Sequence, residues 1–346
     1  MPIRFFFAIP ALLLGTGFFS SGLTQDLRGH LRAGSKITPE KAASLEAELA
    51  ENPEDLLARV QLVGYYFRQF RDDAARDRHR EHVVWLIKNA PEANALAGPE
   101  ANINRVFSPE GYVEGKDAWS WHLENDPNNL AVLEHAAEFF TLSDRKLAIQ
   151  LLERAQSIDA GDPGWAKQLG QLHRLDSRLR DGKRDPEAVR RALAQFERAY
   201  ELSDELRRGY LLTDLGTTAF NAGAIEKAKE YAKAMLEENG EGWNHGNRVH
   251  YGNLTLGRIA LLEGRIEEAK LRLIAAGRTP GSPQLNSFGP DMTLAHELLE
   301  LGESEVVLGY FALCSKFWRM DRGRLETWST LVKGGQTPDF RQSRRY

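Results

Sequence analysis

The sequence contains two stretches with one pattern, LGTTAFNAGAIEKA at residues 215–228 and LGRIALLEGRIEEA at residues 256–269, which begin 41 residues apart. In each, Leu-Gly precedes apolar residues at helical spacing, and a second Gly is followed by Ile, two charged residues and Ala. Glycine ends helices readily because it adopts left-handed backbone conformations at no steric cost. Each stretch therefore predicts a helix, a tight turn at Gly223 or Gly264, and a second helix.

Small residues at fixed positions predict close packing within and between these helix pairs. Gly216 and Gly257 leave room for a neighbouring helix, and Ala228 and Ala269 keep the two helices of a pair close. This order of residues resembles the tetratricopeptide repeat, which has Leu-Gly early in its 34-residue unit, Gly at the turn and Ala in the second helix. The resemblance implies an all-α fold, an α-solenoid of antiparallel helical hairpins with about six or seven units and a C-terminal capping helix.

The same register extends outward and organises the rest of the chain. We expect divergent N-terminal hairpins at residues 25–127, the tetratricopeptide-like array at 128–318, and a capping helix with a tail at 319–346. The apolar face of the cap would consist of Leu325, Trp328, Leu331 and Val332. Residues 177–186 predict an insertion at a turn because they are rich in Asp, Gly and Pro. Residues 90–111 have no clear pattern.

Residues 1–24 form a separate segment with the layout of an export signal. No charged residue occurs between Phe5 and Thr24, and small residues at 20–22 offer a cleavage site before Leu23. We therefore expect export to the periplasm or the extracellular space. A stretch of about 20 apolar residues also suffices to span a bilayer, so a membrane tether through residues 5–24 is the alternative.

Composition excludes several classes of function. The net charge is −4, from 45 basic and 49 acidic residues that are interspersed along the chain, so no field attracts nucleic acid. The single cysteine, Cys314, excludes an intrachain disulfide and a multi-cysteine zinc site. Because it shares helical spacing with Val307, Phe311 and Trp318, we expect it in the core.

No motif indicates catalysis or a cofactor. Phosphate-loop, dinucleotide, nucleophile-elbow and metalloprotease patterns are all absent. His79 and His82 lie in a run of arginines that would oppose a metal cation, and we interpret them as part of a solvated helix face. His245 and His250 have no evident carboxylate pair beside them. We therefore expect no catalytic residue, metal or cofactor.

Two connections between hairpins are longer than the repeat requires, and they are the best candidates for a site. They cover residues 240–253 and 278–291. Connectors of this type emerge on one edge of a helical array, so the two should touch. They either seal that edge or form a binding surface. The candidate residues of this loop edge are Trp243, Asn244, His245, His250, Asn286 and Phe288.

A second candidate follows from the resemblance, since tetratricopeptide proteins bind ligands along the concave face formed by their first helices. The positions that correspond here are Lys167, Gln171, Arg174, Tyr210, Thr213, Thr217, Asn221, Tyr251, Leu254 and Arg258. Their mixed polar and aromatic character suits an extended peptide or a helix. Tetratricopeptide clamps for chaperone tails use Lys and Asn four residues apart on a first helix. Here Lys167 is followed at that distance by Gln171, so recognition of chaperone tails is not expected.

These observations lead to two hypotheses for function. The first is a protein- or peptide-binding scaffold or adaptor of the cell envelope that uses the concave face. The alternative is a small-molecule-binding protein or enzyme with a site formed by the connectors 240–253 and 278–291. Self-association through the loops is a third possibility. All three rest on architecture rather than on a catalytic motif.

Overall fold

The structure is a computed structural model that describes residues 27–177, 184–237 and 242–340. Within these ranges there are 17 α-helices, two short 3₁₀ helices and no β-strand, so the expected all-α class is confirmed. The export segment expected at residues 1–24 and residues 178–183 of the expected insertion lie outside the described residues. None of the helices described is both long enough and apolar enough to cross a bilayer.

The chain divides into two compact units, Met1–Lys116 (unit 1) and Asp117–Tyr346 (unit 2). The division falls within the helix Pro109–Asn125, whereas the sequence placed a boundary after residue 127. Unit 1 contains α1 (Leu27–Gly34), α2 (Pro39–Glu51), α3 (Leu56–Phe67), α4 (Asp73–Asn89), the 3₁₀ helices Asn94–Leu96 and Pro99–Ala101, and the start of α5 (Pro109–Asn125).

Unit 2 contains twelve further helices within the described residues. They are α6 (Leu130–Phe140), α7 (Arg145–Ile158), α8 (Pro163–Asp176), α9 (Pro186–Leu202), α10 (Glu205–Asn221), α11 (Ile225–Glu237), α12 (His245–Leu262), α13 (Ile266–Gly277), α14 (Pro283–Phe288), α15 (Thr293–Glu300), α16 (Ser304–Cys314) and α17 (Arg324–Lys333). We call α6, α8, α10, α12 and α15 the first helices.

Short polar side chains define where many of these helices begin. A side-chain oxygen accepts a backbone N–H of the first turn, which satisfies a donor that has no partner within the helix. In unit 2 this is seen at Asn129, Asp144, Asp162, Asp185, Asp204 and Ser282. Proline follows at the first helical position of α8, α9 and α14, where its missing N–H costs nothing.

The turns between paired helices are the ones that the sequence pattern predicts. Gly223 (φ 75°) separates α10 from α11, Gly264 (φ 76°) separates α12 from α13, and Gly302 (φ 83°) separates α15 from α16. Glycine adopts this left-handed conformation without the steric cost that a Cβ imposes. The helix–turn–helix interpretation of both quoted stretches is therefore confirmed.

Helices of unit 2 pack mainly against their neighbours along the chain. Each of α6 to α12 packs on the next, α10 also packs on α12, α12 on α15, and α13 on α16. Glycine makes the α12–α15 approach possible: a Cβ on Gly257 would lie 2.4 Å from Leu294 Cδ2. Non-sequential contacts therefore join α10 to α12, α12 to α15 and α13 to α16 in this part of the unit.

The C-terminal end of unit 2 has an aromatic core. The ring of Trp328 on α17 lies 5.0 Å from that of Phe340 and 6.0 Å from that of Phe311 on α16. The expected terminal helix is present as α17, with Leu325, Trp328 and Val332 buried. Cys314 is a buried free thiol, as expected, and burial raises its pKa.

In unit 1 the histidine interpretation was wrong. His79 and His82 are buried, not solvated. His79 Nε2 donates to the Glu100 carbonyl at 2.7 Å, and burial lowers the pKa of His79 to about 4. His82 Nε2 donates to Glu46 Oε1 at 3.1 Å, which joins α4 to α2. Of the arginines beside them, Arg78 is exposed and Arg76 and Arg80 are partly buried.

Candidate functional site

The two segments predicted to meet at an edge do lie against each other, but the first is not a connector. Helix α12 begins at His245, so most of residues 240–253 are helical. Of residues 246–257 only Val249 is not buried. The Asn, His and Gly residues of this stretch suggested a loop, but they lie in a helix and contact the segment 278–291. The second segment, 278–291, contains the short helix α14.

Asn247 on α12 is the centre of a hydrogen-bond network between these segments. Its Nδ2 donates to Asn244 Oδ1 at 2.9 Å and to Gln284 Oε1 at 2.7 Å. Its Oδ1 accepts from Ser282 Oγ at 2.7 Å. The same Ser282 Oγ accepts the Leu285 N–H at 3.0 Å and so caps α14. One buried amide therefore fixes both the start of α12 and the start of α14.

A close backbone approach reinforces this junction. A Cβ on Gly246 would lie 1.7 Å from the Gly281 carbonyl oxygen, so only glycine fits there without movement. Thr279 Oγ1 donates to the Gly246 carbonyl at 2.6 Å and accepts the Gly281 N–H at 3.2 Å. The two segments are thus in direct backbone contact at this point.

His250 connects the same segments deeper in the core, where it is fully buried. Its Nε2 accepts the Asp291 backbone N–H at 3.2 Å, and therefore carries no hydrogen. The proton must then be on Nδ1, which donates to the Ala276 carbonyl at 3.2 Å. Because both ring nitrogens are engaged, neither is available as a base or a metal ligand.

An exposed aromatic pair links the two sets of candidate residues. Tyr210 of the first-helix set and Trp243 of the loop-edge set stack with ring centroids 5.4 Å apart and planes inclined by 26°. Trp243 Nε1 also donates to Tyr210 Oη at 3.1 Å. Both remain open to solvent, at 37% and 54% exposure. Leu206, one helical turn before Tyr210, extends this apolar surface.

The other loop-edge candidates have different surroundings. Asn286 Oδ1 accepts the Arg319 N–H at 3.0 Å, so it connects the segment 278–291 to the chain after α16. Phe288 is 74% exposed, whereas Leu285 on the same short helix is buried. His245 Nδ1 is shielded from solvent and has no hydrogen-bond partner in the described part of the chain. These residues do not converge on one point.

The first helices are joined to one another by polar contacts on the predicted concave face. Gln168 on α8 donates to Glu134 on α6 at 3.0 Å. Arg174 on α8 forms an ion pair with Asp214 on α10. In the same way Arg258 on α12 pairs with α15, as its Nη2 lies 2.8 Å from Glu297 Oε1.

Arg258 also lies 4.2 Å from the centre of the Phe220 ring on α10, a cation–π distance. The two predicted arginines therefore already have intramolecular partners. The contacts with Asp214, Phe220 and Glu297 were not predicted, because these residues lie 38 to 40 positions from the arginines and have no local signal.

The remaining candidates on this face differ in exposure. Lys167 is exposed, and Gln171, Thr213, Thr217 and Asn221 are half-buried. Tyr251 and Leu254 are buried. Thr213 Oγ1 lies 3.7 Å from Met235 Sδ, a weak hydrogen bond within the helix pair. Five of these side chains thus remain wholly or partly open to a partner.

A small pocket lies where α10, α12 and the start of α15 meet. It has about 350 Å³ of empty space including its opening. Four residues predicted on the concave face line it: Thr217, Tyr251, Leu254 and Arg258. The other lining residues were not predicted on this face; they are Phe220, Thr255, Asp291, Thr293 and Leu294.

The candidate surfaces consist mainly of polar and aromatic side chains. The described residues contain no cluster of three or more His, Cys, Asp or Glu side chains placed to hold a metal ion. Beneath the pocket wall, Tyr310 Oη donates to the Asp291 carbonyl at 3.0 Å, and complete burial raises the pKa of this phenol. No protein-family model matches the sequence, and no curated protein matches it.

Proposed function

We propose that unit 2 is an α-solenoid of tetratricopeptide-like hairpins that binds a protein or peptide along its first helices, as a scaffold or adaptor of the cell envelope. The sequential packing of α6 to α13, the additional α10–α12 and α12–α15 contacts and the three glycine turns support this arrangement. Residues 1–24 support export, which N-terminal sequencing of the mature chain would test.

The stacked pair Tyr210–Trp243 is the observation that carries the binding function. Two large aromatic side chains are held in one geometry by stacking and by a hydrogen bond, yet both are exposed. Such pre-ordered aromatic groups lose little conformational freedom on binding, and Tyr and Trp are enriched among the residues that dominate interfaces. Tyr210 is followed along α10, at helical spacing, by the polar residues Thr213, Thr217 and Asn221.

The alternative function, a small-molecule or catalytic site between residues 240–253 and 278–291, has less support. The polar groups of Asn247, Ser282 and His250 are bonded to one another or to backbone. A ligand would have to displace these bonds and leave buried groups unsatisfied. We therefore assign the junction a positioning role, which orients Trp243 towards Tyr210.

Peptide selection followed by calorimetry tests the proposal. Peptides would be selected on the full chain from a displayed library, and the affinity of each would be measured for the wild type, Tyr210→Ala, Trp243→Ala and Leu271→Ala. Leu271 is the control because it is a 71% exposed apolar residue on the second helix α13. Loss of an interface anchor costs about 2 kcal/mol or more, roughly a 30-fold weakening.

The expected result is such a weakening for both aromatic variants and no change for Leu271→Ala. Selection of no specific peptide, or of peptides that bind all four proteins equally, would contradict the proposal. Peptides that depend on Asn286 or Phe288 instead would favour the segment 278–291 as the binding surface.

A further inference from the structure

The pocket between α10, α12 and α15 contains a carboxylate that is only partly used. Asp291 is 8% exposed, and its Oδ1 accepts the Thr293 N–H at 2.7 Å. This bond helps to start α15, whose N-terminus favours a negative charge. Asp291 Oδ2 accepts no hydrogen bond from the described residues, and it belongs to a side chain that lines the pocket. This second carboxylate oxygen can therefore accept from a group that enters the pocket.

A second polar group at the same place also lacks a partner. The hydroxyl oxygen of Thr293, a residue that is 7% exposed and lines the pocket, is out of contact with solvent and has no hydrogen-bond partner among the described residues. Buried hydroxyl groups are normally satisfied, so this one has hydrogen-bonding capacity that the described protein groups do not use. Thr217 and Thr255 contribute further hydroxyl groups to the lining.

The charges around the pocket leave it negative. Arg258 is the one cation in its lining, and its Nε and Nη2 both face Glu297 at 2.8–2.9 Å. This pairing neutralises the guanidinium, and no described basic side chain forms an ion pair with Asp291. The carboxylate charge is therefore unbalanced, and a nearly buried charge is expensive unless it is paired.

Size restricts what can balance this charge. The enclosed part of the pocket holds about one water-sized group. A primary ammonium is of that size, and its charge and N–H donors complement the Asp291 carboxylate. A planar guanidinium or a quaternary ammonium is too large, and the latter has no N–H donor.

We propose that this pocket binds the side-chain ammonium of a lysine in the peptide held along the first helices. This inference rests on the proposed function, because the pocket opens between α10, α12 and α15, three of the first helices. It assigns to that function a substrate class, peptides with a lysine that reaches Asp291. The apolar lining from Phe220 and Leu254 would contact the methylene groups of that lysine.

The test uses n-butylammonium, which reproduces the end of a lysine side chain, and ligand-observed saturation-transfer NMR on the full chain. Asp291→Asn is the informative variant because its amide oxygen still accepts the Thr293 N–H while the charge is lost. Asp144→Asn is the matched control: Asp144 accepts the Leu147 N–H at the start of α7, away from the pocket, and the change in net charge is the same.

We expect saturable binding with a dissociation constant of roughly millimolar order, since so small a ligand makes few contacts. It should weaken at least about tenfold in Asp291→Asn, because a charge-assisted contact is lost, and stay unchanged in Asp144→Asn. Tetramethylammonium and n-butanol should not bind saturably. Circular dichroism of each variant checks that the fold is retained.

Three outcomes would each overturn the inference. The first is equal affinity of n-butylammonium for all three proteins, and the second is saturable binding of n-butanol. The third is no saturable binding of n-butylammonium, which would mean that the pocket holds only water. These outcomes are separable from the peptide test. If selected peptides still depend on Tyr210 and Trp243 while n-butylammonium does not bind, the lysine site is refuted and the peptide-binding function stands.

Discussion

Replacement of Gly246 by alanine tests the backbone contact between α12 and the segment 278–291. The added Cβ would lie 1.7 Å from the Gly281 carbonyl oxygen, whereas carbon–oxygen contacts normally measure about 3.3–3.6 Å. Both atoms concerned are fixed to backbone, so no side chain can rotate away. The two segments must separate by about 1.5 Å or more to reach that range.

Such a separation would break the hydrogen bonds that cross the junction. The bond from Thr279 to the Gly246 carbonyl, 2.6 Å long, and that from Asn247 to Gln284, 2.7 Å long, would both stretch beyond hydrogen-bond range. Each is worth about 1 kcal/mol. Alanine stabilises a helix relative to glycine by up to about 1 kcal/mol, and by less in the first turn, which offsets part of this loss. We expect a net destabilisation of about 1–3 kcal/mol, as is usual for overpacking.

Gly309→Ala is the matched control because it lies within α16 and its Cβ would meet only Ile274 Cδ1, at an ordinary 3.5 Å. At this position the higher helix propensity of alanine should dominate and stabilise the protein by up to about 1 kcal/mol. Urea midpoints give the sign of each change. Hydrogen exchange should accelerate in residues 245–253 and 279–291 in Gly246→Ala alone. Equal stabilisation by both substitutions, with unchanged exchange, would refute the close contact.

Two further predictions concern buried histidines. Because the pKa of His79 is lowered to about 4, the unfolded chain binds a proton that the folded chain does not between pH 6.5 and 4. The free energy of unfolding of unit 1 should therefore contain the full contribution of neutral His79 above about pH 6.5, and it should fall by up to about 3 kcal/mol as the pH drops to about 4. His79→Gln should flatten this part of a pH series of urea midpoints; a slope equal to that of the wild type would contradict the assignment. His250→Ala should cost about 2–4 kcal/mol, since it leaves the Asp291 N–H and the Ala276 carbonyl unsatisfied; a loss below about 1 kcal/mol in thermal unfolding would show that water replaces the ring.

The sequence was sufficient for the parts of the fold that depend on local physics. Gly223 and Gly264 end their helices because of backbone conformation, which is a property of the residue itself. Likewise Trp328 and Val332 predicted α17 by their spacing. These predictions needed no knowledge of which helix packs on which.

The histidines of unit 1 show a signal that was present but overlooked. Ala75, His79, His82 and Leu86 are spaced by four, three and four residues, and all four are buried on one face of α4. Neighbouring arginines suggested a solvated surface because composition was weighed above periodicity. The helical period was the better guide.

Helix α12 shows why the candidate site could be predicted only in part. Asn247 and His250 are unfavourable in an isolated helix, and their local sequence suggests a loop. They are stable within a helix because Ser282, Gln284 and Asp291 satisfy them from a segment about 35 to 41 positions away. Propensity cannot contain that information. For the same reason no local pattern pointed to Asp291 as part of a pocket.

The arginines on the first-helix face change how a binding experiment must be interpreted. The sequence presented Arg174 and Arg258 as charges offered to a partner, but each is half-buried and already paired, with Asp214 and Glu297. Removing one member of a half-buried pair leaves the other charge without its partner and destabilises the protein. Arg258→Ala would therefore weaken partner binding through loss of the α12–α15 contact even if no partner ever touched the guanidinium.

The groups that remain available for recognition are of two kinds. Tyr210 and Trp243 offer exposed aromatic surface, and Asp291 offers an unbalanced charge in a pocket of limited size. Tyr210 and Trp243 meet through exposed side chains, and Asp291→Asn keeps an oxygen for the Thr293 N–H, so substitutions at these positions separate recognition from stability. Affinity that depends on the aromatic pair and selectivity that depends on Asp291 would then be measurable as independent effects, which should add in the combined variant unless the two sites contact each other.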